Sequence, residues 1–354
     1  MFRQTPILSP PPRQPGPLLH RAGRSSVLLP AFLLRIGCWA ILTFAMALPA
    51  AVHAWDNMGH AMVARLAWER LDRDQQKILV ELLKEAPSDA LLYQLYPDYR
   101  MEEKELDRIF FELAASWPDR ARELEKYHRD RWHYVNRFWE QPDPALPPRD
   151  RWDLVAPPEN IVSQLYRLER QLKDATRPKA DRAIDLAWLL HLVGDVHQPL
   201  HCSSRVTKRR GERSGDRGGN QFGLAGVPGN DLHGFWDGIL RVARPQRDDE
   251  NYPQWLTRLS DEVRPGSAQS ELEFVLPARL RPRDYQAWAD EGHLLAKTVC
   301  YPVDLKRGRA PRRHHIEEAY EIARRRMYLA AVRLAEVLEA VAAASSRNAS
   351  KPPN

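Results

Sequence analysis

The chain has 354 residues, with 53 Lys and Arg against 47 Asp and Glu, giving a formal net charge of +6. At 43% hydrophobic and 28% charged residues it has an ordinary globular composition, which excludes a disordered, fibrous or polytopic chain. The positive excess points towards a polyanionic partner, but residues 1–54 hold five arginines (Arg3, Arg13, Arg21, Arg24, Arg35) and no acid, so the other 300 residues stand at only +1.

In chain order, the first predicted element is a targeting segment. Residues 1–35 are rich in Pro and Arg, and 36–52 is an uncharged run ending in Ala50-Ala51-Val52-His53-Ala54. A basic region, an apolar stretch and a small-residue site together read as a secretory signal peptide over 1–54, cut after Ala54. A retained anchor is the alternative. The expected mature chain begins at Trp55 and is secreted or periplasmic, with no stable membrane association after cleavage. Cys38 lies in the leader, leaving Cys202 and Cys300. Export permits a disulfide between them, and two separate buried thiols fit the sequence equally well.

Apolar residues recur at helical spacing over 62–71, 74–84, 101–116, 160–172, 182–192, 233–242, 288–297 and 316–341. Leu186, Leu189, Leu190 and Val193 make one such stripe. No alternating run is long enough for a sheet. Residues 205–229, rich in Gly and basic side chains, read as a long loop or small hairpin. The stretches 142–158 and 277–282 are Pro-rich surface connections, and 244–283 carries no recognisable motif. The expectation is an all-α fold: one mainly helical domain over 55–344, followed by a disordered tail over 345–354.

Histidines and aspartates in this domain fall at ligand spacings. His191 and Asp195 are four apart inside a helical pattern, which places them one turn apart on one face. His201 follows after Pro199 breaks the helix. His233 and Asp237 repeat the four-residue spacing, Asp119 follows Ser116-Trp117-Pro118, His133 opens His-Tyr-Val-Asn136, and His60 stands near the expected new N-terminus. Imidazole and carboxylate suit zinc, and thiolates are not needed. Spacing alone assigns neither the number of ions nor the partition of ligands. His197, His128, His293, His314 and His315 read as structural or surface residues.

Six segments together resemble the S1/P1 nucleases, a family that shares its fold with zinc-dependent phospholipase C. They are Trp55-Asp-Asn-Met-Gly-His60, Ala115-Ser-Trp-Pro-Asp119, His133-Tyr-Val-Asn136, His191-Leu-Val-Gly-Asp-Val-His-Gln-Pro-Leu-His201, Gly218-Gly-Asn220 and Asn230-Asp-Leu-His-Gly-Phe-Trp-Asp237, in family order. The resemblance implies three Zn2+ per chain. Asp119, His133, His191 and Asp195 would hold one, and His201, His233 and Asp237 a second. The third would take the α-amine and carbonyl of Trp55, His60, and Asp195 as a bridge. It also implies hydrolysis of phosphodiesters in single-stranded DNA and RNA to 5′-phosphates, with 3′-nucleotidase activity, by water attacking phosphorus. Asp119 and Asp195 are the implied catalytic carboxylates.

By the same resemblance Tyr134 would stack on an unpaired base and Asn136 would hydrogen-bond it. Asn220 would lie near the scissile phosphate, and Arg122 stands where some members carry Lys for phosphate. Between His201 and His233, the run Arg205, Lys208, Arg209, Arg210, Arg213 and Arg217 either steers a polyanion or is a solvated loop. A zinc-dependent phospholipase C and a non-catalytic zinc-bound protein are the competing readings. Tyr134, Asn136 and the Asp at position 237 favour the nuclease, acting as a monomer.

Overall fold

The computed structural model describes residues 55–349 except 99, 268, 272 and 274–281. The expected signal peptide and its cut, and residues 350–354, lie outside the described residues.

The first helix, α1 (Asn57–Trp68), starts where Asp56 accepts hydrogen bonds from the amides of Met58 and Gly59. After Leu71, α2 (Arg73–Lys84) opens with a capping box in which Asp72 and Gln75 each bond the other's amide. Next come α3 (Glu103–Ala114) and the single turn α4 (Trp117–Arg120), with Pro118 in its first turn. The Asn160–Ser163 box starts α5 (Ile161–Lys173). Then comes α6 (Lys179–Asp195), buried on every side from Leu186 onward and so the central helix.

Beyond it lie α7 (Leu232–Asp237), α8 (Ile239–Ala243), α9 (Tyr252–Val263), α10 (Tyr285–Val299) and the 37-residue α11 (Arg313–Ala349). α11 packs along α1, α2, α5 and α6, while α10 packs on α5 and on the 3-10 turn Pro199–Cys202. The core is therefore mainly helical and continuous, as expected.

Several expectations are corrected. A small sheet is present: β1 (Phe138–Glu140) pairs antiparallel with β2 (Arg149–Asp150) and parallel with β3 (Ser204–Val206). Strands this short carry too few side chains to show alternation, and the parallel pair joins segments far apart in sequence. The long loop begins with β3 and closes on itself further on, through one antiparallel bridge between Gly223 and Asp231. The helix expected over 233–242 breaks at Gly238 into α7 and α8. In the unassigned 244–283 stretch, α9 forms behind an Asn251–Gln254 capping box.

Residues 345–349 of the expected disordered tail continue α11, where Arg182 donates to Ser345 Oγ at 2.8 Å. Cys202 and Cys300 are free, buried thiols rather than a disulfide. Cys202 Sγ lies 3.3 Å from the Val196 carbonyl, and burial pushes this thiol up to about 12. Gly292 lets α10 approach it, since a Cβ there would meet Cys202 Sγ at 2.9 Å. No helix among the described residues is long and apolar enough to cross a membrane.

Candidate metal centre

Six elements deliver the predicted ligands to one place. The last turn of α6 presents His191 and Asp195, and the turn behind Pro199 presents His201. A 3-10 turn over Asp130–His133 brings His133, α4 brings Asp119, α1 brings His60, and α7 brings His233 and Asp237. Each of these side chains, with Trp55, is no more than 6% exposed.

His133 Nδ1 lies 3.0 Å from Asp195 Oδ2, and His191 Nε2 is 3.3 Å from the same oxygen. His60 Nε2 is 3.2 Å from Asp195 Oδ1, so this carboxylate faces histidines on both oxygens. The His60 ring stacks on His191 with centroids 3.8 Å apart. Ligand atoms of His60, Asp119 and His191 also fall within 4.8 Å of one another, so His60 is within reach of Asp119 as well as of Asp195. In a second group, His201 Nε2 and His233 Nε2 face each other at 3.1 Å, with Asp237 oxygens 3.9 and 3.4 Å away.

These groups fit cations. His191, His201 and His233 each direct Nδ1 at a backbone carbonyl, of Ala115, His133 and Gly218, at 2.8, 2.6 and 2.7 Å. That assigns the proton to Nδ1 and leaves Nε2 as a bare lone pair, the arrangement of a metal-ligating histidine. Two such lone pairs facing at 3.1 Å repel unless a cation lies between them. Both oxygens of Asp119, both ring nitrogens of His60 and Nε2 of His133 are buried with no hydrogen-bond partner among the described residues. Burial keeps all five group-one and group-two histidines below their ordinary value, His233 at about 4, and therefore neutral. It pushes Asp195 up to about 7 and Asp237 well above the usual carboxylate range.

Supporting residues escaped the sequence reading. Gln198 donates to Asp237 Oδ1 at 2.7 Å, and the Asp56 amide donates to the Asp237 carbonyl at 3.0 Å. Gly194 lets His60 approach α6, since a Cβ there would lie 2.8 Å from His60 Nδ1. Gly218, at φ +61°, leaves no space for a side chain, because its Cβ would fall 2.4 Å from the Leu200 carbonyl. The Gly-Gly-Asn turn thus orients His233 through the Gly218 carbonyl. Only the glycines were visible as a signal, and what they approach was not.

The substrate-side candidates lie around these groups. Arg122 Nη2 is 3.2 Å from Asp119 Oδ1. Tyr134 and Asn136 are half-buried between His133 and β1. Asn220 donates to the Arg217 carbonyl at 2.6 Å. In the basic loop, Glu212 and Asp216 are buried, with Asp216 accepting from the Arg205 amide and the Tyr301 hydroxyl. Lys208, Arg209, Arg210, Arg213 and Arg217 remain exposed, so the loop is pinned from inside and cationic outside.

The histidines read as structural or surface residues have partners within the protein. His197 donates to the Val193 carbonyl at 2.7 Å and accepts from Arg333, which Glu291 also binds. His293 contacts Ser203 and Asp150, and His314 and His315 pair with Asp304 at the start of α11.

Residues 55–343 match the S1/P1 Nuclease family profile. The chain is 24% identical to Endonuclease 1 of Arabidopsis thaliana over 315 residues, which cover 82% of this chain and 88% of that one. Endonuclease 3 and Endonuclease 2 of the same plant are 23% and 26% identical over 60% and 52% of this chain, and 63% and 56% of their own lengths. With nearly the whole described domain matched, the chain belongs to the S1/P1 nuclease family.

Proposed function

We propose that this member of a nuclease family is an exported zinc-dependent phosphodiesterase cutting single-stranded DNA and RNA to 5′-phosphate products, with 3′-nucleotidase activity. The observation that carries the metal dependence is the pair of Nε2 atoms of His201 and His233, facing each other at 3.1 Å while both Nδ1 positions are committed to carbonyls. The proposed ligand sets are Asp119, His133, His191 and Asp195; His201, His233 and Asp237; and Trp55, His60 and Asp195. Zinc, when bound, would supply Lewis-acid stabilisation of the phosphate and a water acidic enough to attack near neutral pH.

The protein's own groups do the rest. Asp119, held by Arg122, orients the attacking water, and Arg122 offers its remaining guanidinium donors to the phosphodiester. Tyr134 stacks on a base, worth roughly 1–3 kcal/mol, which a duplex does not offer. Asn136 meets the base edge, and Asn220 meets the phosphate. Burial of the ligand cluster excludes bulk water from competing with these contacts. In this reading the precursor is cut after Ala54, Trp55 supplies its α-amine, and the mature protein works as a monomer in the periplasm or outside the cell.

The test is a side-by-side assay on single-stranded DNA, RNA, 3′-AMP and phosphatidylcholine, with and without chelator. It is paired with metal analysis and N-terminal sequencing of the exported protein. Expected are hydrolysis of the first three, loss on chelation, three zinc per chain and Trp55 first. Hydrolysis of the lipid alone, or activity indifferent to zinc removal, overturns the reading.

A further inference from the structure

A cavity of about 550 Å³ opens beside the second histidine group, with His233 and Asp237 in its inner wall and Asn220 on its lining. Tyr134 is not part of it. Arg241, Tyr252 and Trp255 line the same cavity. Arg241 Nε is 2.6 Å from Asp56 Oδ2, yet its side chain is 50% exposed. One edge of the guanidinium is thereby anchored and the other donors are left to the cavity. Tyr252 is 44% exposed, although its neighbour Trp255 is buried and meets it edge-on. As the first residue of α9, Tyr252 has its backbone set by the Asn251–Gln254 box and by Pro253. An exposed aromatic ring on a fixed helix start and a tethered guanidinium therefore share one cavity with two candidate metal ligands. This is the composition of a site for an unpaired base and its phosphate.

We propose that Arg241 and Tyr252 form a subsite for the nucleotide on the 5′-phosphate side of the scissile bond. The Tyr252 ring stacks its base and the Arg241 guanidinium holds the next phosphate. The inference rests on the nuclease reading above. With Tyr134 assigned here to the nucleoside whose 3′ oxygen departs, the strand beyond the scissile phosphate needs a second path. The cavity that starts at His233 and Asp237 supplies it. A 3′-mononucleotide ends at that phosphate and does not reach the subsite, whereas an oligonucleotide does.

The test compares Tyr252→Leu and Arg241→Gln with wild type in the metal-loaded protein. The readout is kcat/KM for a short single-stranded oligonucleotide divided by kcat/KM for 3′-AMP. Each substitution is expected to lower that ratio roughly tenfold, the order of one lost base–aromatic stack. Tyr252→Phe, which keeps the ring, restores it. An anisotropy titration with a fluorescent, cleavage-resistant phosphorothioate strand gives a readout without turnover, and the same two variants should bind it roughly tenfold more weakly. Unchanged ratio and unchanged affinity overturn the subsite. If wild type cleaves neither substrate the nuclease reading fails, and the titration still decides the subsite.

Discussion

Gly194 and His60 are in register across two helices: a Cβ built on Gly194 would lie 2.8 Å from His60 Nδ1. Gly194 precedes Asp195, so the smallest residue of α6 sits where the ring that faces Asp195 must enter. Gly194→Ala should push His60 out of the group. The expected result is at least a tenfold loss of nuclease activity and fewer bound zinc ions. An overpacking cost of about 1–3 kcal/mol should also appear in denaturant unfolding. Wild-type metal content in the variant would refute this.

The pH dependence of the metal-free protein follows from opposing shifts. Burial lowers His60, His133, His191, His201 and His233, so folding releases protons from them below their unfolded value, and stability is lost as pH falls. Asp195, pushed up to about 7, and Asp237 act the other way, since the folded state holds their protons and stability falls as pH rises. The histidine share of stability is expected to be lost between pH 6.5 and pH 5, which is read by comparing the melting temperature in chelator of wild type with that of His60→Ala across this range: the gap between them should narrow as pH falls. Zinc affinity should drop over the same range, because a protonated Asp195 must release its proton to bind; chelator competition at several pH values reads this.

The exposed arginines of the pinned loop should act at long range. Arg209→Ser with Arg210→Ser should leave the fold intact and weaken long single strands more at low salt than at high salt. Each lost phosphate contact removes about 0.7 from the slope of log affinity against log salt for single strands. A filter-binding series against salt checks it, and an unchanged slope argues for a merely solvated loop.

Arg333 is fully buried between His197 and Glu291. Arg333→Ala leaves Glu291 with Arg326 as its remaining arginine partner and takes the donor from His197, so it should cost about 1–3 kcal/mol by chemical denaturation, chiefly as the unpaired buried imidazole.

The ligands were legible because their spacing obeys helical geometry: His191 with Asp195, and His233 with Asp237, sit four apart on α6 and α7. Their mutual approach was not, because contacts such as His133 to Asp195 span 62 residues and depend on tertiary packing. The missed α9 had readable signals in Asn251, Pro253, Gln254 and the spacing of Trp255, Leu256, Leu259 and Val263. The sheet had none, being three residues wide at most and partly parallel. The separation of Cys202 and Cys300 likewise depended on where α10 packs.

The last candidate ligand is Asp237, but the helix that packs α1 and α6 together occupies the final stretch of the described domain, through Ala349. A chain emerging from a ribosome thus carries every candidate ligand before the helix that braces α1 and α6 has been made. A fragment ending near residue 300 should keep all those side chains and lose that brace, so it is expected to bind metal more weakly than the full chain.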